Sequence, residues 1–241
     1  MNYLPRHLTI FLLLLVLAGC RSTGTIYVQS SKLPVNEYIS DENAISKFIF
    51  PYKDSLEVEM NRVIGYASAD LERARPEGAL GNFMLDMTLS YINSSYFYKK
   101  EHSPYIAIMN YGGLRAPIAK GVITVGDIYK LMPFDNTIVL LRMNVKDLED
   151  IVAYIHESGG EPIAGFTIQG KSIELSDEQP LSDTITVITT DYLADGGDRM
   201  DFFKKAYSIE KTGLLLREVL INRVEEADTI HPVLDQRIIL K

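Results

Sequence analysis

Two hydrophobic periods alternate along the chain from about residue 43 onward. Leu80, Phe83, Met84, Met87 and Tyr91 fall at helical spacing and predict an amphipathic helix over 79–93 with that stripe buried. Tyr105 to Met109 is a short apolar run that predicts a strand ending at Asn110. Thr124 with Asp127 three residues later resembles a capping box opening a short helix through Leu131, which Pro133 stops. Thr137–Met143 and Thr184–Thr190 are rich in β-branched residues and predict strands. Asn144 is placed to cap a second amphipathic helix, with Leu148, Ile151, Val152 and Ile155 on one face and Gly159-Gly160 ending it. Leu216, Val219, Leu220 and Val224 mark a last helix. Mixed elements in this order imply an α+β or α/β domain, and periodicity alone does not choose between them.

The N-terminus follows a different pattern. Arg6 precedes an apolar run from Ile10 to Leu17, and Leu17-Ala18-Gly19-Cys20 closes it with small residues. The run is too short to span a bilayer comfortably, so it reads as a cleaved export signal. Leu-Ala-Gly-Cys in that position resembles the lipobox of bacterial lipoproteins. That resemblance implies a signal peptide over 1–19 and acylation of Cys20; the polar, aperiodic stretch that follows reads as a tether over 20–44, with one domain over 45–241. The resemblance also implies an exported chain anchored by lipid in the cell envelope, at the outer membrane for a Gram-negative source. The bland alternative is an ordinary secretory signal with a chance cysteine. Cys20 is the only cysteine, so once it is acylated the fold has no disulfide and no thiolate ligand to lean on.

Composition then narrows the partners. A hydrophobic content of 46 % supports a sizeable core, while a formal charge of −8 argues against non-specific nucleic-acid binding. An anionic small ligand requires arginines gathered locally. Two glycine-containing loops, each after a predicted strand, offer such places. Asn110-Tyr111-Gly112-Gly113-Leu114-Arg115 combines backbone that can approach a ligand closely with a side-chain amide and a rigid guanidinium fork. Thr190-Asp191-Tyr192-Leu193-Ala194-Asp195-Gly196-Gly197-Asp198 repeats the layout, with Asp198 in the position of a cap for a helix starting near Arg199. Taken singly, each reads equally as a structural turn. Phe134, between Pro133 and polar turn residues, either covers a small satellite cluster or presents its face to a ligand.

Together these segments carry more. Asn-x-Gly-Gly-Leu-Arg-Ala-Pro-Ile at 110–118, Gly-x-Ile-Thr at 121–124, Leu-x-Pro-Phe-x-Asn-Thr at 131–137, Phe166 and Thr-Asp-Tyr-Leu-Ala-x-Gly-Gly-Asp at 190–198 occur in a fixed order. The succession resembles the C-terminal domain of the 5′-nucleotidase family, which includes periplasmic UDP-sugar hydrolases. Leu80-Gly81-Asn82 followed by Asp86 is similar to an earlier helix of that family. The resemblance implies an α+β fold, a mixed sheet with flanking helices. It further implies that Phe134 and Tyr192 clamp a nucleobase, that Asn110 bonds the base, that Arg115 meets a phosphate or the ribose region, and that Asp198 takes the ribose hydroxyls. Gly112 and Gly113 shape the loop. An upstream arginine is expected to contact phosphate, with Arg75 the nearest match and Arg73 its rival. The chain departs from the pattern at Tyr192, where phenylalanine is usual, and at Asp135 and Arg199, where glycine is common.

Family chemistry belongs to a separate metallophosphoesterase domain with two metal ions. The chain has only His7, His102, His156 and His231, and none of the metal-binding motifs expected there. No cofactor is therefore expected in this chain, and divalent metals are expected on a catalytic partner. The leading expectation is a nucleotide- or nucleoside-binding subunit that works with a separate metallophosphoesterase. A stand-alone capture lipoprotein is the alternative, and a relic with a structural role the third reading.

Overall fold

The computed structural model describes residues 32, 43–94, 104–175 and 183–241. The expected signal segment and Cys20 lie outside the described residues, as does the expected tether except for Lys32 and its last two positions. Those last two belong to a helix, α1 (Asn43–Met60), which the hydrophobic pattern does not announce. Ile49–Lys241 forms one compact unit. In chain order it holds β1 (Val63–Ala67), α2 (Ala79–Ser94), β2 (Tyr105–Ile108), β3 (Gly121–Thr124), α3 (Val125–Leu131), β4 (Thr137–Asn144) and α4 (Leu148–Ser158). β5 (Ile163–Ala164), β6 (Phe166–Gln169), β7 (Ser172–Leu175), β8 (Thr184–Thr190) and α5 (Asp191–Ala194) follow. β9 (Ser208–Leu215), α6 (Leu216–Ala227), β10 (Thr229–Ile230) and β11 (Ile238–Ile239) complete it.

The strands form a five-stranded sheet in the order β5-β2-β8-β4-β9 and two three-stranded sheets, β10-β1-β3 and β11-β6-β7. Within the large sheet β2 and β8 run parallel, whereas β8-β4 and β4-β9 are antiparallel. The sheets are mixed and the class is α+β, as the family resemblance implies. β8 is central, and Ile185 to Thr190 are all buried, which suits a strand covered on both faces. That is why the site-bearing loop after β8 starts from a fixed platform.

The helices refine the sequence pattern. On α2, Leu80, Phe83 and Met84 are buried as expected, but Met87 and Tyr91 are only partly so, while Leu85, Thr88 and Ile92 are buried too. The helix runs through the interior rather than lying on it. Thr88 is tolerated there because its hydroxyl donates to the Met84 carbonyl at 2.8 Å. The capping box of α3 forms as predicted, with Asp127 N donating to Thr124 Oγ1 at 3.2 Å and Thr124 N to Asp127 Oδ2 at 3.0 Å. Asn144 does not cap α4. A 3-10 turn over Val145–Asp147 intervenes, and the amide of Asn144 reaches only Asp147, at 3.4 Å. Gly159 ends α4 in the left-handed conformation at φ 81°.

Candidate functional site

Four separate segments converge on one cavity of about 320 Å³, lined by Asn110, Gly112, Arg115, Phe134, Asn136, Tyr192 and Asp198. β2 delivers the first segment, whose Tyr111–Gly113 form a 3-10 turn. α3 ends just before Phe134, and β8 runs straight into Tyr192. Of the residues expected from sequence to shape or contact a ligand site, Gly113, Arg75 and its rival Arg73 do not line this cavity. Gly113 is buried behind it, and a Cβ there would lie 2.8 Å from Asn110 Oδ1, so glycine lets the Asn110 side chain fold over the turn. Asn136 joins the lining without having been singled out. In the sequence it stands as the asparagine of Leu-x-Pro-Phe-x-Asn-Thr, with no role attached to it.

Phe134 and Tyr192 are 39 % and 48 % exposed, high for large aromatics, and both open on the cavity. Phe134 therefore is not the lid of a satellite core cluster. Polar ties hold both loops. The Asp191 carboxylate accepts Thr137 N at 3.1 Å, Thr137 Oγ1 at 2.7 Å and Tyr192 N at 2.9 Å. One side chain thus fastens the Phe134 loop to the Tyr192 loop. On the other side Arg217, 8 % exposed, donates to the Phe134 carbonyl at 3.1 Å and to Asp135 Oδ1 at 2.6 Å. Its guanidinium lies 4.1 Å over the Tyr129 ring. Asp135, unusual in the family pattern, is the ion-pair partner of this buried arginine. Asp191→Ala removes three bonds and should cost about 1–3 kcal/mol of stability. It should also weaken binding of a stacked ligand, which titration alongside urea unfolding would separate. Unchanged ligand affinity would mean that Asp191 does not set the spacing of the two loops.

Asp198 stands where the sequence suggests a helix cap, but no α-helix starts there. Two 3-10 turns, Gly197–Arg199 and Asp201–Lys205, take its place, and Asp198 and Arg199 sit at φ 51° and 64°. Left-handed backbone costs a non-glycine residue about 1 kcal/mol, less for aspartate. Side chains fix it. Asp198 Oδ2 accepts Asn110 Nδ2 at 2.6 Å, and Oδ1 accepts the Tyr192 hydroxyl at 2.9 Å. The backbone carbonyl of Asp198 accepts the Tyr154 hydroxyl at 2.8 Å. The partner that a tyrosine at 192 needs is therefore Asp198, and its hydrogen bond to that carboxylate holds the phenol above its ordinary pKa, as a donor. A Cβ on Gly197 would fall 2.5 Å from the Tyr192 ring, so the turn closes on the ring only with glycine at this position. Each Asp198 oxygen already accepts one bond and keeps one lone-pair direction for a ligand hydroxyl.

Arg115 donates to the Gly112 carbonyl at 3.3 Å, and its guanidinium lies 5.6 Å from the Phe134 ring centroid. A second cleft, about 540 Å³, shares Gly112 and Asp198 with the first and is also lined by Arg75, Tyr111, Tyr154, Glu157, Ser158, Glu161 and Arg199. Arg75, not Arg73, lines it. Arg73 donates instead to the Leu114 carbonyl at 3.0 Å, with its guanidinium 5.0 Å over the Tyr111 ring. Arg75 lies 4.5 Å over the Tyr111 ring and donates to Glu161 Oε1 at 2.8 Å. Glu161 is 4 % exposed, and burial pushes its carboxyl up despite the bond from Tyr111 N–H and the charge of Arg75. Nothing in the local sequence around Glu161 signals that role.

Among the described residues no group of three or more His, Cys, Asp or Glu is arranged to hold a metal ion. His156 bonds the Gly170 carbonyl at 2.6 Å and His231 bonds Ser68, at 3.0 Å. Each of these two histidines is thus engaged within the protein. What the site offers is two aromatic faces, an arginine, two amides and a hydrogen-bonded carboxylate, which is equipment for binding.

Residues 63–168 match the model of the 5′-nucleotidase C-terminal domain. The trifunctional nucleotide phosphoesterase protein YfkN of Bacillus subtilis (strain 168) is 28 % identical over 236 residues, 86 % of this chain and 16 % of the relative. The 5′-nucleotidase precursor of Thermus thermophilus superposes with a TM-score of 0.65 at 27 % identity, covering 82 % of this chain and 43 % of that one. The NAD nucleotidase of Haemophilus influenzae shares the fold, with a TM-score of 0.61 at 19 % identity over 82 % of this chain and 41 % of the other. The chain spans less than half the length of each of these proteins. Over residues 63–168 it matches the C-terminal domain of the 5′-nucleotidase family, and most of the chain is similar to proteins that carry that domain.

Proposed function

We propose that this domain binds a nucleotide or nucleoside and presents it to a separate metallophosphoesterase. One observation carries the reading: Phe134 and Tyr192 are exposed in one cavity with Asn110, Asn136, Arg115 and Asp198. An aromatic face stacks on any nucleobase, the amides meet its edge, and a carboxylate suits a sugar diol. Nucleotide-hydrolysing relatives support the ligand class. The described residues offer no metal cluster, so hydrolysis is assigned to the partner, together with its divalent metals. We also place the chain at the bacterial cell envelope, exported and held by an acylated Cys20 on a polar tether. The lipobox resemblance motivates that placement. Among the described residues no helix is long and apolar enough to cross a membrane.

The direct test is calorimetric titration of the full chain with adenosine 5′-monophosphate, followed by hydrolysis assays with and without a co-purified metallophosphoesterase. Binding without hydrolysis, and hydrolysis that rises on mixing, are the expected results. Binding with no partner recovered and no gain on mixing would favour the capture lipoprotein over the split enzyme. Absence of binding would overturn both.

A further inference from the structure

The two clefts meet at Gly112 and Asp198. With a base stacked in the first cavity and the sugar diol at Asp198, the 2′ and 3′ oxygens lie at that junction. A substituent on either oxygen enters the second cleft, whose 540 Å³ exceeds what bare hydroxyls require. Two cations line it. Arg75 is already engaged by Glu161. Arg199 has no hydrogen-bond or ion-pair partner among the described residues.

The backbone makes Arg199 unusual. It holds φ 64°, directly after Asp198 at φ 51°, where glycine would be at ease and arginine is not. The bonds from Tyr192 and Tyr154 to Asp198 keep the turn in this form. An arginine is thus maintained against backbone preference at the mouth of a polar cleft, and such placement is a mark of function. Carboxylates also face the cleft. Glu161 is turned to Arg75 and Tyr111 N–H, and Asp198 to Asn110 and Tyr192, which leaves Glu157 as the opposing charge. The cleft is therefore no general anion trap. Recognition would rest on the planar donor fork of Arg199, which suits a phosphoryl group.

We infer that the second cleft accommodates a phosphoryl group carried on the 2′ or 3′ oxygen of the bound nucleotide, with Arg199 selecting for it. This deepens the nucleotide-binding reading and rests on it. The test compares adenosine 5′-monophosphate with adenosine 2′,5′- and 3′,5′-bisphosphates by calorimetry on the full chain. The wild type should bind one bisphosphate about tenfold or more tighter than the monophosphate. Arg199→Gly, which suits the backbone, should bring that ratio close to one, and Arg199→Lys should leave it intermediate. Monophosphate binding with no advantage for either bisphosphate would overturn this inference and leave the nucleotide reading intact. An advantage that survives in Arg199→Gly would remove Arg199 from the role. Failure of all three ligands to bind the wild type would overturn the nucleotide reading itself, and this inference with it.

Discussion

Replacing Arg237 with methionine should destabilise the domain by about 3 kcal/mol, at the lower end of the range for breaking a buried ion pair. Arg237 is 6 % exposed and lies between two carboxylates. It donates to both oxygens of Asp86, at 2.7 and 2.9 Å, and to both of Asp235, each at 2.8 Å. It also donates to the Ile163 carbonyl at 3.0 Å. Burial works against its charge, but the two carboxylates outweigh that and hold the guanidinium protonated. Asp86 lies on α2 and Ile163 on β5, so this one side chain pins the C-terminal segment to the interior helix and to the edge of the large sheet. The lower end of the range applies because the Asp86 and Asp235 side chains are 39 % and 48 % exposed, and water offsets part of their loss.

The same cluster sets a pH dependence. The hydrogen bonds from Arg237 hold the Asp235 carboxyl below its ordinary value. A carboxyl whose folded pKa is depressed adds stability above its unfolded pKa, near 3.9, and loses it as pH falls through the folded value. Urea unfolding followed by circular dichroism should show a midpoint in Arg237→Met far below that of the wild type at pH 7. The gap should narrow below about pH 4, where the wild type loses what the variant never had. A variant with the wild-type midpoint at pH 7 would show that the C-terminal segment is not pinned in this way.

Arg237 also illustrates what a sequence withholds. Asp86 is visible as part of a family-like helix, but its partner lies 151 positions away and belongs to no pattern. Arg217 and Asp135, 82 positions apart, pose the same difficulty. By contrast, the capping box at Thr124 and Asp127 and the glycine cap at Gly159 are contained within one turn of chain, and the local residues specify them completely. Local signals fail where one residue type serves two geometries. Aspartate favours a helix cap and also tolerates left-handed backbone, so the pattern around Asp198 suggests the first where the fold uses the second. Asn144 misleads similarly, because the chain inserts a 3-10 turn before α4. The helix α1 escapes notice because Pro51 sits inside it and Phe50 and Val58 break its apolar periodicity. The cavity itself is legible only as motif order. Which residues meet in it depends on four loops arriving from α3, β2, β8 and the turn after α5.

Loss of the aromatic faces should have the largest effect on binding. Phe134→Ala and Tyr192→Ala should each weaken nucleotide affinity about ten- to hundredfold, from a stacking contribution of about 1–3 kcal/mol per ring. Phe134 also lies 5.6 Å from the Arg115 guanidinium, so its removal additionally leaves that cation without an aromatic surface. Tyr192 has two duties, and Tyr192→Phe separates them: the ring stays, while the bond to Asp198 Oδ1 is lost. That variant should weaken binding less than the alanine does. Its residual loss measures how far the hydroxyl orients Asp198. Because both rings are substantially exposed, neither alanine should move the unfolding midpoint much, so a binding defect cannot be laid to misfolding. Calorimetry on the double variant completes the argument. If Phe134→Ala/Tyr192→Ala binds adenosine 5′-monophosphate as the wild type does, the two rings are not a clamp, and any nucleotide site lies elsewhere on the domain.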